Sequence, residues 1–183
     1  YIHGEEKSRS IELGRRLFEK EIRRFAVDRA SASDEVLGRI AGEFAAAKVQ
    51  LAAVTVDGQV VGEIGPGLLV LLAVQPGDSR TEADRLVERV VGYRVFADPE
   101  GRMNLSLADT GGALLLVPQF TLAADTSTGM RPSFTSAAAP EHGRTLFDYA
   151  ADRARASLCG RVATGRFGAH MRVSLTNDGP VTF

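Results

Sequence analysis

Ionisable side chains offer this chain few ways to do chemistry. The histidines His3, His142 and His170 are scattered, and no His-Glu-x-x-His, Gly-x-Ser-x-Gly or phosphate-loop pattern joins them to partners. A lone imidazole in such a setting more often serves the surface or the packing than catalysis. Cys159 is the single cysteine, which rules out an intrachain disulfide and any cysteine-based zinc cage, and it reads as a structural thiol. No metal-binding motif is present. Two stretches that disturb the backbone stand out instead. Pro118 interrupts an apolar run and is followed by Gln119-Phe120-Thr121-Leu122, so the strand there is bent or lies at an edge. A bend would free backbone N–H groups beside Thr121, the best placed hydroxyl in the chain.

The second stretch is Thr176-Asn177-Asp178-Gly179-Pro180-Val181-Thr182, which follows the alternating run Met171-Arg172-Val173-Ser174-Leu175. Pro180 brings no N–H to a strand, and an X–Pro bond is where a cis peptide costs only about 0.5–1 kcal/mol. Gly179 removes the Cβ that would obstruct unusual geometries. Gly179-Pro180 could thus present bare carbonyls to a ligand. Taken alone, the dipeptide reads more simply as a strand end with a turn.

The elements that must position these stretches follow from periodicity. Val49–Val56, an Asp57-Gly58 turn and Gln59–Ile64 read as a hairpin. Leu68–Val74 is seven apolar residues in a row, a strand buried on both faces and the centre of a sheet. Ser79 and Glu82 form a capping box for a helix with Ala83, Leu86, Val87, Val90 and Val91 on one face. Met103–Leu107 and Ala113–Val117 add strands. The polar segment 123–139 is too long for an idle connection, which marks it as functional. Pro140 opens a second helix carrying Leu146, Phe147, Ala150, Ala154 and Leu158, and Gly160 closes it.

Before residue 48 the pattern is different. Ile11, Phe18, Ile22 and Phe25 recur at helical spacing, and Val36, Leu37, Ile40 and Phe44 give a second helix ending in Ala45-Ala46-Ala47. The expected organisation is a helical extension over 1–47 and a domain over 48–183. The chain has 183 residues, 44% hydrophobic and 25% charged, which suits one soluble domain with a full core. Its formal net charge of −1 provides no basic field for non-specific nucleic-acid binding, so any such contact must be local. The absence of an apolar span or signal-like segment points to the cytosol.

Together, Pro118-Gln119-Phe120-Thr121-Leu122 and Asn177-Asp178-Gly179-Pro180-Val181-Thr182 closely resemble the two signature motifs of the D-aminoacyl-tRNA deacylases. The resemblance extends from about residue 48 to the end and includes Gly65–Leu72, Met103–Ser106, Arg131-Pro132-Ser133-Phe134 and Thr164–Ala169. It implies an α/β fold, a mostly antiparallel barrel-like sheet with two covering helices. It also implies hydrolysis of D-aminoacyl-tRNA, and by the same logic of glycyl-tRNA, without cofactor or metal.

The resemblance further implies a homodimer in which Gly179-Pro180, with a cis bond, reaches into the partner's pocket beside Asn177 and Val181. No membrane or DNA partner is expected. Backbone N–H groups at Phe120 and Thr121 would form the oxyanion site, with Gln119 and Pro118 shaping the pocket. Two roles for Thr121 compete, nucleophile and positioning residue; the second leaves activation of water partly to the 2′-hydroxyl of the terminal adenosine. Phe120 reads equally as an adenine platform or a core aromatic. Two positions depart from the family pattern: Pro118 where a Ser is most frequent, and Lys48 where an Arg is common. The competing class is a non-catalytic module that binds an aminoacyl, nucleotide or nucleic-acid ligand in the same pocket.

Overall fold

One strand organises the fold in a computed structural model that describes residues 43–127 and 130–183. Strand β1 (Glu43–Val56) pairs antiparallel with β2 (Gln59–Ile64), with β3 (Gly67–Ala73) and with the last strand, β8 (Arg172–Thr182). On its far side β3 runs parallel to β6 (Ala113–Pro118), which in turn runs parallel to β7 (Val162–Thr164). Three of these five pairings are antiparallel. The sheet curls until β2 meets β7, where a Cβ on Gly62 would lie 2.6 Å from Thr164 O. Only glycine permits that approach, and the sheet is nearly closed into a barrel.

Alternation along β3 supplies two cores. Leu68, Val70 and Leu72 point towards the covering helices, together with Leu114 and Leu116 of β6. Leu69 and Leu71 point into the barrel, with Leu115 and Val117. A strand buried along its whole length therefore carries no polar face, as the seven-residue apolar run predicts. The helices are α1 (Arg80–Gly92) and α3 (Pro140–Ser157), and both begin as their cap chemistry dictates: the Ser79–Glu82 capping box on α1, Pro140 at the first turn of α3. Leu86, Val87 and Val90 of α1 pack with Phe147, Ala150 and Ala154 of α3 over the sheet.

Two expectations are corrected. Ala45-Ala46-Ala47 is strand and not the end of a helix, because Glu43–Val49 pairs with Gly67–Ala73 residue by residue. Alanine's helical preference is worth a few tenths of a kcal/mol per residue, and it yields to hydrogen bonds needed by the apolar β3. Ala46 then faces the helices and Ala47 the barrel, both essentially buried. The remainder of the expected helical extension lies outside the described residues. The second correction concerns Met103–Leu107, which does not extend the main sheet. Strand β5 (Met103–Leu105) pairs only with β4 (Phe96–Ala97), and Ser106 then caps the short helix α2 (Leu107–Thr110), where Asp109 completes a capping box. Among the described residues, no helix is long and apolar enough to cross a membrane.

Candidate active site

The bend expected at Pro118 is real, and it is not at an edge, since β6 lies between β3 and β7. The parallel ladder runs to the Leu72–Pro118 pair, and Gln119 then donates its N–H to Leu72 O at 2.7 Å. Alternate N–H groups along a strand point to opposite neighbours, so the donor missing from Pro118 falls on the β7 side. There the ladder has already ended at Leu116–Thr164, and the proline costs no sheet bond. Released on that side, the chain winds into a 3₁₀ turn, Phe120–Ala123. Leu122 N bonds to Gln119 O and Ala124 N to Thr121 O, each at 3.2 Å. The first N–H groups of such a turn have no preceding carbonyl to use. Those of Phe120 and Thr121 have no hydrogen-bond partner among the described residues.

Side chains around the turn are placed without any ionisable group. The Gln119 amide donates to Thr121 Oγ1, and both Thr121 and Phe120 are exposed. Phe120 is 57% exposed, which excludes the core-aromatic reading. Its ring meets Phe134 edge-on with centroids 5.2 Å apart. Phe134 belongs to the long segment after the turn, and that segment is tied down: Asp125 and Ser133 exchange backbone bonds of 2.8 and 2.9 Å, and Ser136 Oγ donates to Ala123 O. Ser127 bonds to the Asp125 carboxylate and holds it below its usual range. The segment is thus a wall of the turn.

Gly179-Pro180 occupies a different place. The named strand β8 runs through it, but its pairing with β1 jumps: Ala47 opposes Thr182 and Val49 opposes Asn177, so two steps along β1 match five along β8. The surplus residues form a bulge, consistent with a proline that cannot donate to a ladder. Gly179 is required there for space, because a Cβ on it would sit 2.0 Å from Val181 N and 3.5 Å from Asn177 Nδ2. The bulge is tethered at its base by Lys48, whose ammonium lies 3.2 Å from the Asp178 carboxylate and 6.0 Å from the Phe96 ring centroid. Lys48 is 15% exposed and Asp178 45%.

The two motifs are not brought together within one chain. The 3₁₀ turn is attached at Leu72, near one end of β3, while the bulge lies opposite Ala47 and Val49, which pair with Leu69 and Gly67 near the other end. No hydrogen bond, ion pair or ring contact links them among the described residues. The histidines do not converge on either. His142 bonds to Asp78 O at 3.0 Å at the start of α3, and His170 lines a hollow with Thr55, Asp57 and Arg172. His3 lies outside the described residues. Among the described residues no group of three or more His, Cys, Asp or Glu side chains could hold a metal ion. What the 3₁₀ turn offers chemically is a pair of aimed backbone donors suited to a developing oxyanion. Lys48 and Phe134, both singled out by the family resemblance, take their places here through the Lys48–Asp178 pair and the Phe120–Phe134 contact.

Comparison with known proteins identifies the family. Residues 46–183 match the family model described as D-Tyr-tRNA(Tyr) deacylase. A protein of Thioalkalivibrio sulfidiphilus (strain HL-EbGR7) named D-aminoacyl-tRNA deacylase is 65% identical over 136 residues, 74% of this chain and 91% of that one. Its namesake in Xanthomonas campestris pv. campestris (strain 8004) is 60% identical over 136 residues, 74% and 93%. Among solved structures, the c-Myc DNA Unwinding Element Binding Protein aligns with a TM-score of 0.73 at 32% identity, covering 76% of this chain and 95% of that one. A probable eukaryotic D-amino acid tRNA deacylase aligns at TM-score 0.68 and 18% identity, over 76% and 96%, a likeness of fold alone.

Proposed function

This chain belongs to the D-Tyr-tRNA(Tyr) deacylase family, and from that premise we propose how its two motifs divide the work. The reaction is hydrolysis of the ester that joins a D-amino acid to tRNA, a proofreading step in translation. Water adds to the ester carbonyl, the tetrahedral oxyanion is received by the Phe120 and Thr121 N–H groups, and the C–O bond breaks to release the amino acid. The ribose 3′-oxygen leaves with a proton. The observation that carries this reading is that pair of unpaired donors at the head of a pinned turn.

Thr121 serves as a positioning residue. Its hydroxyl is held by the Gln119 amide, and among the described residues no imidazole, amine or carboxylate is bonded to it to activate it as a nucleophile. The water is activated partly by the 2′-hydroxyl of the terminal adenosine. Pro118 sets where the strand ends and Phe120, with Phe134, gives the adenine an aromatic face.

Selection of chirality falls to main-chain atoms of Gly179-Pro180, beside Asn177 and Val181. They fill the space an L side chain would need and leave room for a D side chain or for none, so glycyl-tRNA is a substrate too. Exclusion by fixed atoms discriminates more strongly than the ~1–3 kcal/mol available from one methylene in an apolar pocket. No hydrogen bond, ion pair or ring contact joins the bulge to the turn among the described residues, which supports the reading that the bulge acts in the pocket of a second copy and that the working unit is a homodimer. A cytosolic location belongs to the same reading, and no DNA partner is called for.

The test compares D-Tyr-tRNA and L-Tyr-tRNA with purified protein. Depletion of the D-ester alone is expected. Binding of both esters without turnover at micromolar protein would favour a non-catalytic module.

A further inference from the structure

Two arginines beside the turn have no acid to answer them among the described residues. The loop after β7 runs against the start of the 3₁₀ turn: Gly165 donates its N–H to Leu116 O at 2.8 Å, and a Cβ on Gly165 would come within 3.2 Å of Pro118 Cδ. The loop then closes on itself, with the Arg166 N–H directed at Met171 Sδ at 3.3 Å and Ala169 N donating to Arg166 O at 3.2 Å. These bonds hold the Arg166 backbone. Its side chain is exposed and has no hydrogen bond or ion pair among the described residues.

Arg144, from the first turns of α3, lies over the same loop. Its guanidinium carbon is 5.2 Å from the Phe167 ring centroid, and Phe167 packs against the buried Phe147 with centroids 6.3 Å apart. Stacking fixes that guanidinium without neutralising it, and it too has no carboxylate within ion-pair distance among the described residues. Some exposed arginines elsewhere do find acids, as Arg153 does with Asp84, Arg155 with Asp152 and Arg102 with Asp98, and others such as Arg85 and Arg89 do not. What sets Arg166 and Arg144 apart is that both stand at the loop that meets Pro118. The protein as a whole carries a formal net charge of −1, so it attracts a polyanion only where cations are left uncompensated.

We propose that Arg166 and Arg144 bind phosphates of the single-stranded RNA end that carries the ester to the turn. The inference rests on the deacylase reading above and adds the residues that grip the polynucleotide. An ester bonded at the Phe120–Thr121 donors leaves the preceding nucleotides to cross the rim of the turn, where the Gly165–Gly168 loop stands. A planar guanidinium offers forked donors that match a phosphate, which a solvated ammonium does not.

The experiment measures kcat and KM for the wild type and for Arg166→Gln, Arg144→Gln and a charge-matched control on the exposed side of α1, Arg85→Gln. One substrate is a D-aminoacyl-tRNA over a salt series, and the other is a D-aminoacyl ester of adenosine, which has no phosphate. Arg166→Gln is expected to raise KM for the tRNA about tenfold with kcat unchanged. It should also flatten the dependence of log KM on log salt by about 0.7 for each phosphate that is no longer neutralised. Arg144→Gln should act in the same direction and more weakly, the adenosine ester should be indifferent to both, and Arg85→Gln should match the wild type. Unchanged KM and salt slope in Arg166→Gln, or an equal loss on the adenosine ester, would overturn the proposal. Wild-type failure on both esters would instead refute the deacylase reading on which it rests.

Discussion

The 3₁₀ turn after β6 and the bulge in β8 are both departures from a strand caused by a proline, yet they are built in opposite ways. The turn grows from an interior strand, takes up the Leu72 carbonyl within one residue of Pro118, and is braced by Phe134 and Ser136. The bulge interrupts a strand that pairs only with β1, and its one charged tether is the Lys48–Asp178 pair among the described residues. A site that stabilises charge in a transition state needs donors fixed in advance, and in the proposed function the turn supplies them inside one chain. A gate that works by filling space needs only to be held against what it excludes, and in the proposed function the bulge is such a gate acting on a neighbour. The difference accounts for a chain in which no reactive side chain stands out.

The comparison is broken most severely at the turn. Thr121→Pro removes one of the two N–H donors at a position where a helical first turn tolerates proline, and loss of one such donor costs on the order of 100- to 1,000-fold in kcat. Thr121→Ala keeps the donor and should reduce kcat by about tenfold or less; a decrease as large as that of the proline variant would make the hydroxyl a nucleophile. Circular dichroism of both variants checks that the barrel persists. Next in size is Gly179→Ala, whose Cβ would collide with Val181 N at 2.0 Å and displace the bulge. Its expected effect is on selectivity, with the D-over-L preference collapsing and the turn's intrinsic chemistry retained.

Smaller still is Lys48→Met, which keeps the stem and removes the charge that faces Asp178 and Phe96. Selectivity should fall by a few-fold, and a preference equal to the wild type's would show that the bulge needs no tether. Least is expected from the helix pair, remote from both motifs. Asp84 on α1 accepts from Arg153 Nε at 2.6 Å and from the Tyr149 hydroxyl at 3.1 Å on α3. The Arg153 hydrogen bond holds its carboxyl below the ordinary range, outweighing the opposing effect of burial, and the Tyr149 hydroxyl assists. A depressed carboxylate contributes stability that is present above its unfolded pKa, about 3.9, and is lost as pH falls through the folded value. Thermal melts should therefore show the wild type exceeding Asp84→Asn at pH 6 and converging on it in acid, while deacylation at neutral pH is the same in both.

Local chemistry made much of this architecture legible. The Ser79–Glu82 box, the apolar run of β3, the Asp57-Gly58 turn and Pro140 each impose one local geometry, and each stands where its chemistry places it. The failures lie where pairing at a distance decides. Ala45-Ala46-Ala47 carries a helical preference too weak to compete with the bonds that β3 offers, and Met103–Leu105 finds a partner only in Phe96–Ala97. Of the site, Gln119, Phe120 and Thr121 were legible because a proline in an apolar strand must release the backbone somewhere. The Phe120–Phe134 contact and the Lys48–Phe96 contact depend on how loops return to the barrel, and no spacing encodes that. The bulge at Gly179 was legible only as a disturbance, since the register jump depends on what β1 pairs with on both sides.

Whether turn and bulge meet across two copies can be measured by mixing Thr121→Pro chains with Gly179→Ala chains under conditions that exchange subunits. A mixed dimer holds one site with an intact turn from one chain and an intact bulge from the other. The account predicts that the mixture hydrolyses the D-ester in clear preference to the L-ester, a selectivity that the Gly179→Ala chains, though active, lack when alone. Activity and preference equal to the sum of the two separate variants would contradict it and place both motifs in the service of a single chain.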